Sequence, residues 1–178
     1  MKKLTTEEMH RLTVEEFRAS EKLPLTVVLD NVRSLNNIGS VFRTSDAFRV
    51  EHIALCGITA TPPHREIHKT ALGAEESVEW CYHEDTVACV QELKARGYMV
   101  YAVEIAHESL KLGADEVATD KPVAIVFGNE IDGVQETVME LCDGFLEIPQ
   151  GGTKHSLNVS CAAAIVIWEM YKQLKVRS

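Results

Sequence analysis

Three polar segments of this chain, each containing glycine, follow short apolar runs and hold residue types that can carry chemistry. They cover residues 30–43, 128–133 and 149–158. In sheets of parallel strands, ligands bind beyond the carboxyl ends of the strands. If the apolar runs are such strands, these three segments lie where a binding or catalytic site is expected.

The first segment contains Asn37, Gly39 and Arg43. Residues 38–48 have helical spacing, which makes Asn37 a candidate N-cap. Arg43 then lies a turn and a half into the helix. Its guanidinium could reach a ligand at the sheet edge, pair with Asp46 at i+3, or remain solvated on the surface. Gly39 lowers helix stability, which favours a close backbone approach at this position.

The second segment, GNEIDG at residues 128–133, ends a predicted strand with a glycine. A glycine there lets a ligand approach the backbone, and Glu130 could bind a sugar hydroxyl or a cation. The same composition is typical of a tight turn with solvated acids. Taken alone, the segment favours the turn.

The third segment contains GGTK, followed by Ser156 and Asn158 at the start of an apolar helix. A phosphate-binding loop of the GxxxxGK[ST] type would need glycine at position 147, which is Glu147, so a nucleotide triphosphatase is rejected. His155 beside Ser156 suggests a serine hydrolase. Sequence neighbours at a helix start do not face each other, however, and no GxSxG motif is present. Ser156 and Asn158 therefore either cap the helix or face a ligand.

Short apolar runs alternate with helical spacing along the chain. Strands are predicted at residues 25–29, 52–56, 77–82, 98–103, 123–127 and 145–148, and helices at 5–20, 38–48, 84–96, 134–142 and 158–174. Residues 59–68, with two consecutive prolines, are predicted to form a loop. The alternation predicts an α/β fold in which helices cover both faces of a parallel sheet.

Composition restricts the classes of protein that fit. The chain has 178 residues and a hydrophobic fraction of 46%, which suits one domain and excludes wholesale disorder. No apolar run approaches the roughly 20 residues of a membrane span, and the N-terminus has no apolar core of a secretory signal. The five cysteines include no CxxC pair, which argues against a disulfide framework or a zinc site and for a cytoplasmic location.

The net charge of −9 disfavours nucleic acid as a partner, but the charge is unevenly distributed. Residues 75–147 hold 17 acids and 4 bases, whereas residues 148–178 hold 4 bases and 1 acid. Because salt screens charges beyond about 10 Å, a local basic surface remains compatible with this composition.

Together the three segments resemble the SpoU/TrmH family of RNA ribose 2'-O-methyltransferases, in the SPOUT superfamily. The match is N-x-G-x-x-x-R-T at residues 37–44, V-F-G-N-E-x-x-G-V at 126–134 and I-P-x-x-G-x-x-x-S-L-N-V-S at 148–160. One such motif is weak evidence, but the ordered set of three is highly specific. The resemblance covers roughly residues 25–170 and departs from the family at Gln150, where methionine is frequent.

The resemblance implies a SPOUT domain at residues 23–178, with a C-terminal deep trefoil knot, after an N-terminal helical extension at residues 1–22. It implies that S-adenosylmethionine binds against the backbone of Val103, Gly128, Ile148 and Leu157. It also implies a homodimer with active sites near the subunit interface, to which the last helix and residues 38–48 contribute. No metal and no membrane partner are expected.

For catalysis, the resemblance implies that Arg43 is the central residue. Because a guanidinium stays protonated in proteins, Arg43 is expected to stabilise the attacking oxygen electrostatically. Side chains expected to hold Arg43 or the ribose are those of Asn37, Glu130, Ser156 and Asn158. The predicted phosphate-binding surface comprises Arg33, Arg43, Arg65 and Lys154, with His64 and His68 beside them.

Other functions remain as alternatives. The chain could be an RNA-binding member of the same fold that lacks catalysis, or a methyltransferase for small molecules or proteins. A dinucleotide-dependent enzyme would need GxGxxG after the first strand, where DNVRSLNNIG stands instead. The RNA substrate could be tRNA or rRNA.

Overall fold

A computed structural model of the chain describes residues 3–5, 8–117, 120–154 and 156–175. Its elements are, in chain order, α1 (Val14–Ala19), β1 (Leu23–Asp30), α2 (Leu35–Ala47), β2 (Val50–Cys56), α3 (Arg65–Ala71), α4 (Ala74–Ser77), β3 (Glu79–His83), α5 (Thr86–Ala95), β4 (Met99–Val103), β5 (Leu110–Lys111), β6 (Val123–Phe127), α6 (Glu136–Met139), β7 (Gly144–Glu147) and α7 (Val159–Lys175).

The strands form one sheet of seven in the order β3-β2-β1-β6-β4-β7-β5, and every pairing in it is parallel. β1 lies at the centre, where Val27 pairs with Ile53 on one side and Ile125 on the other. The predicted parallel α/β sheet is therefore confirmed. The order also shows that β7 lies between β4 and β5, two strands that precede it in the chain.

Two apolar layers cover the sheet. One contains the buried side chains of α2, α3 and α7, including Phe42 and Ile167. The other contains those of α5 and α6, including Val90 and Val138. Buried strand residues therefore point to both faces, which is why β1 and β6 are almost continuously apolar.

The six predicted strands are present with ends shifted by at most two residues. Three other predictions need correction. The predicted loop at 59–68 contains the start of α3, where His64 Nδ1 accepts a hydrogen bond from the backbone of Glu66 at 3.1 Å. The predicted helix at 134–142 is only the single turn of α6. In both cases the segment lacks a full apolar stripe, so its periodic signal is weak.

The predicted helix at 5–20 is also too long. Only α1 is helical, residues 8–10 form a turn, and residues 6 and 7 lie outside the described residues. Thr13 has extended backbone angles and caps α1 in a capping box with Glu16. An N-cap residue must leave helical geometry, so the helix cannot extend through Thr13. The side chain of Phe17 in α1 is only 4% exposed, and it packs in the α2 layer of the core.

The close approach predicted at Gly39 is confirmed, and the neighbour is helix α3. A Cβ at Gly39 would overlap the Thr70 hydroxyl and the Ile67 carbonyl oxygen. The Thr70 hydroxyl also donates to the carbonyl of Asn36 at 2.9 Å. α2 and α3 are therefore in backbone contact beside the first polar segment.

Candidate active site

A cavity of about 540 Å³ lies at the carboxyl ends of β4, β6 and β7. The residues that line it come from the segments after these strands and from the start of α7. They include Val103, Gly128, Ile148 and Leu157. The structure thus brings together the four residues for which the resemblance implied a cofactor pocket.

The turn after β6 forms one wall of this cavity. Asn129 and Gly133 exchange backbone hydrogen bonds of 3.0 Å in both directions, and Asn129 Oδ1 accepts from the backbone of Ile131 at 2.9 Å. At Gly128 a Cβ would overlap the backbone of Gly133 and Val134. The space beside Gly128 is therefore filled in part by the chain's own turn, and glycine is required for the turn to close.

The cavity is acidic. Glu104, Glu130, Asp132 and Glu147 are among its lining residues, and within the described part of the chain no lysine, arginine or histidine lines it. Glu104 Oε1 accepts from the backbone of Val134 at 2.8 Å, which fixes this carboxylate against the turn. Glu104 was not predicted from the sequence because its partner lies 30 residues away, and no local motif marks it.

Glu130 connects the second polar segment to the start of α2. Its carboxylate accepts hydrogen bonds from the backbone of Arg33 and Ser34, both at 2.9 Å, and from Asn37 Nδ2 at 3.0 Å. Burial alone would raise the pKa of Glu130, but these hydrogen bonds outweigh it and the pKa lies below its usual value. These hydrogen bonds hold Glu130 against the start of α2.

Asn37 joins all three polar segments, although it is not the N-cap. That position is taken by Ser34, whose hydroxyl accepts from the backbone of Asn37 at 3.3 Å. The Asn37 side chain is thereby free to donate to Glu130 and to accept from Asn158 Nδ2 at 3.1 Å. Asn158 Oδ1 accepts from the backbone of Ser160 at 2.9 Å, as an N-cap residue does.

Arg43 is not brought to the cavity of its own chain. It is exposed on α2 and does not line the cavity. Six residues on an α-helix are about 240° apart, so Arg43 and Asn37 face different directions. Within the described residues no ion pair joins Arg43 to Asp46, whose carboxylate instead accepts from the Ser77 hydroxyl at 2.5 Å.

The remaining predicted residues are all exposed. Ser156 lines the cavity, whereas Arg33 precedes α2, Arg65 opens α3 and Lys154 lies in the third segment. His155 lies outside the described residues. Across the described ranges no group of three or more histidine, cysteine, aspartate or glutamate side chains is placed to hold a metal ion. No helix in those ranges is long and apolar enough to cross a membrane.

The fold and the three motifs agree with comparisons to known proteins. The family model for the SpoU rRNA Methylase family matches residues 24–168, and the chain belongs to this family. The tRNA (guanosine(18)-2'-O)-methyltransferase of Thermus thermophilus is 34% identical over 166 residues, which are 93% of this chain and 84% of that protein.

Solved structures show the same architecture. The TrmH/SpoU tRNA modifying enzyme of A. aeolicus superposes with a TM-score of 0.80 at 26% identity, covering 92% of this chain and 83% of that one. The AdoMet-bound rRNA methyltransferase from Sinorhizobium meliloti gives a TM-score of 0.79 at 28% identity. That alignment covers 89% of this chain and 60% of the relative.

Proposed function

We propose that this protein transfers a methyl group from S-adenosylmethionine to a ribose 2'-hydroxyl of tRNA or rRNA. The observation that carries this proposal is the cavity formed where the second and third polar segments meet the end of β4, lined by Val103, Gly128, Ile148 and Leu157. The named methyltransferases among its relatives support the same reaction.

The cavity suits S-adenosylmethionine in size and in charge. Its volume of about 540 Å³ falls within the range of small-molecule sites. Apolar side chains such as Phe127 and Leu146 suit an adenine ring, and the four acids suit a ligand with a net charge of about +1 at neutral pH. When bound, this cofactor supplies an electrophilic methyl group on a sulfonium centre. Val103, Gly128, Ile148 and Leu157 would hold it through their backbone.

The protein's own part in the reaction is to position the ribose and to stabilise charge. The 2'-oxygen gains alkoxide character as its proton passes to solvent water, and it would then take the methyl group while the S–C bond electrons leave with S-adenosylhomocysteine. The Arg43 guanidinium stabilises that charge, and an RNA phosphate orients the guanidinium. Ser156 and Asn158 at the cavity edge hydrogen-bond the ribose, while Asn37 and Glu130 fix Asn158 in place.

Arg43 acts in the cavity of a second copy of the chain, in a homodimer. Cys161, Ile165 and Trp168 are exposed along one side of α7, with exposures of 41% for Ile165 and 47% for Trp168. Their spacing of four and three residues makes a continuous stripe. α2 is bound to α7 by Phe48, whose ring lies 5.5 Å from Trp168, so the stripe borders the helix that carries Arg43.

A C-terminal trefoil knot accounts for the position of β7. After β4, the chain crosses the position of β7 and forms β5 on the far side of that position. It then returns past β7 and β4, and β6 pairs with the opposite edge of β4. This connection also contacts later parts of the chain, since Ser109 donates to Glu147 at 2.6 Å and the backbone of Val117 donates to Gln173 at 2.8 Å. The chain after β7 passes through the loop so formed.

The chain divides into an N-terminal extension at residues 1–22 and the methyltransferase domain at residues 23–178. The extension packs on the domain through Phe17, and Arg18 donates to the carbonyl of Glu76 at 2.6 Å. The five cysteines are free thiols, which suits a cytoplasmic protein. The RNA surface comprises Arg33, Arg43, Arg65 and Lys154, all exposed.

The proposal is tested with purified protein, tritiated S-adenosylmethionine and separate tRNA and rRNA fractions. We expect methyl transfer to one of the two fractions. In a second experiment, nucleoside mass spectrometry of RNA from cells with and without the protein should find a 2'-O-methylated nucleotide that is absent when the protein is absent. RNA binding with no transfer to either fraction would instead identify a non-catalytic RNA-binding member of the family. Transfer to a small molecule or a protein would contradict the RNA assignment.

A further inference from the structure

A second cavity, of about 500 Å³, lies beside α3, α4 and the edge strand β3. Its walls include Pro62, Pro63, Arg65, His68, Glu76 and Trp80, and it is called the Trp80 groove below. None of these residues lines the cofactor cavity. The proposed function uses Arg65 to bind RNA phosphate but gives the rest of the Trp80 groove no role.

Trp80 gives the groove a flat apolar wall. Its indole ring is half-buried, packing against the α2 layer of the core while also lining the groove. Within the described residues no aromatic ring or cation stacks on it. Proteins that bind single-stranded nucleic acid stack bases on such rings, and Pro62 and Pro63 offer apolar contacts nearby.

The charged groups of the groove differ in whether they have partners. The Glu75 carboxylate accepts from His68 Nδ1 at 2.5 Å and from the backbone of Gly73 at 3.0 Å. In the described part of the chain, by contrast, no hydrogen bond or ion pair engages the Arg65 guanidinium or the Glu76 carboxylate. The groove thus offers one available cation, one available carboxylate and one aromatic face.

These three groups match the chemistry of a guanine nucleotide. A carboxylate accepts two parallel hydrogen bonds from the adjacent N1–H and N2 amino group of guanine. Adenine, cytosine and uracil each place an acceptor next to the donor on that edge, so they fit a carboxylate less well. A guanidinium pairs with phosphate oxygens, and the indole face suits the base.

The groove also lies close to the proposed site of methyl transfer. Thr70 near the end of α3 contacts Asn36, the neighbour of Asn37 in the network. Arg65 opens the same helix five residues earlier, which is about 7.5 Å along its axis. A strand of RNA whose ribose reaches the Asn37 network can therefore extend a neighbouring nucleotide towards the groove.

We propose that the Trp80 groove binds a single-stranded guanine nucleotide of the RNA substrate, next to the nucleotide that is methylated. The base stacks on Trp80, its N1–H and N2 amino groups donate to Glu76, and its phosphate contacts Arg65. This assignment rests on the proposed function, because the proposed reaction has RNA as its substrate and the groove would hold a nucleotide of that RNA.

The first test uses the fluorescence of Trp80. Trp80 and Trp168 are the only tryptophans, so Trp168→Phe leaves Trp80 as the single reporter. GMP should quench this fluorescence at roughly tenfold lower concentration than AMP, CMP or UMP. Glu76→Gln should abolish the preference, whereas the control Glu79→Gln, on β3 and outside the groove, should keep it. Equal quenching by the four nucleotides, or none, would overturn the proposal.

The second test separates the groove from the proposed function. Glu76→Gln should raise the KM for RNA about tenfold, while kcat and the affinity for S-adenosylmethionine stay unchanged. If the protein transfers methyl groups normally but GMP does not bind, only the groove proposal fails. If GMP quenches Trp80 selectively but no RNA is methylated, the proposed function fails and the guanine site stands.

Discussion

Asn37 Oδ1 accepts a hydrogen bond of 3.1 Å from Asn158 Nδ2, although 121 residues separate the two in the chain. The orientation of the Asn37 amide is set by its other neighbour. The ionised carboxylate of Glu130 only accepts, so the Asn37 NH₂ group must face it and the oxygen must face Asn158. One polar line thus connects the starts of α2 and α7 at the edge of the cofactor cavity.

Replacing Asn158 should weaken both the fold and the reaction. Asn158→Ala removes the side-chain acceptor for Ser160 and the donor to Asn37, which should lower the free energy of unfolding by about 1–2 kcal/mol. Methyl transfer should fall by more than the loss of folded protein explains. Urea unfolding and tritium transfer measure the two effects. The matched control is Asp85→Ala, which removes the cap of α5 and should cost similar stability without that extra loss of transfer.

Replacing Arg43 should stop turnover without affecting cofactor binding. Arg43→Ala removes the cation that we propose stabilises the attacking oxygen, and Arg43 does not line the cavity of its own chain. Calorimetry should give an unchanged affinity for S-adenosylmethionine while transfer to RNA is lost. Arg96→Ala, an exposed arginine after α5, should leave both intact. Retained turnover together with weakened cofactor binding would contradict this role for Arg43.

Action of Arg43 across a dimer has a separate test. Leu157→Arg places a cation at an exposed cavity residue and should block cofactor binding. Mixing this variant with Arg43→Ala creates heterodimers in which one site has both an intact cavity and an intact arginine. Activity should return to roughly a quarter of that of the unmutated protein. No recovery after subunit exchange would show that Arg43 serves its own chain.

The acidic cavity should distinguish the cofactor from its product. S-adenosylmethionine carries about one more positive charge than S-adenosylhomocysteine, so Glu104→Gln should weaken binding of the former roughly three- to tenfold and leave the latter nearly unchanged. The amide oxygen of the substituted side chain can still accept from Val134, which keeps the turn in place. Calorimetry at low salt measures both affinities, with Glu140→Gln as the exposed control outside the cavity. An equal loss for both ligands would exclude charge as the cause.

Glu130 should make stability depend on pH in acid. Its pKa in the folded protein is lowered, so its contribution is fully present above the unfolded value near 4.5 and is lost as pH falls through the folded pKa. Glu130→Gln should cost about 1 kcal/mol at pH 7, a modest figure because Glu130 is solvent-exposed. Urea titrations should show that the difference in free energy of unfolding between the two proteins becomes smaller below pH 4. A difference that stays constant with pH would mean that charge is not involved.

A charge on the α7 stripe should separate the proposed dimer. Trp168→Glu places a carboxylate at a side chain that is 47% exposed in the single chain, so the monomer should still fold, with some loss of stability from the lost ring contact with Phe48. Sedimentation should show a monomer, and methyl transfer should be lost with the second copy's Arg43. Ile58→Glu changes an apolar side chain that is 65% exposed elsewhere and should leave the dimer intact. A Trp168→Glu dimer of full activity would rule out this interface.

The central strands were predictable because burial on two faces leaves an unmistakable pattern. β6 is VAIVF with all five residues buried, and no helix of that composition would be so short. The first two polar segments were predictable for a related reason, since they follow β1 and β6, whereas β7 before the third segment has only Leu146 buried. β5 has only two residues, one of them exposed, and carries no periodic signal. Its existence depends on pairing with β7, which forms far along the chain.

Side-chain partners across the fold were not predictable in the same way. Asn37 occupies the third helical position because Ser34 caps α2, and both residue types are good caps. Which of the two residues caps α2 depends on Glu130, which lies 93 residues from Asn37 and binds the Asn37 side chain. The exposure of Arg43 likewise depends on where α2 begins, since moving the cap by three residues turns every later side chain by about 300°.

The position of β7 between β4 and β5 sets the order in which the protein can mature. Leu146 and Ile148, which line the cavity, lie in β7 and directly after it, and β7 pairs with β4 on one side and with β5 on the other. A chain still being synthesised on the ribosome therefore has no complete cofactor site until this last strand has emerged and been inserted. Methylating activity is a property of the finished chain alone, so a prematurely terminated product would neither consume the methyl donor nor modify RNA.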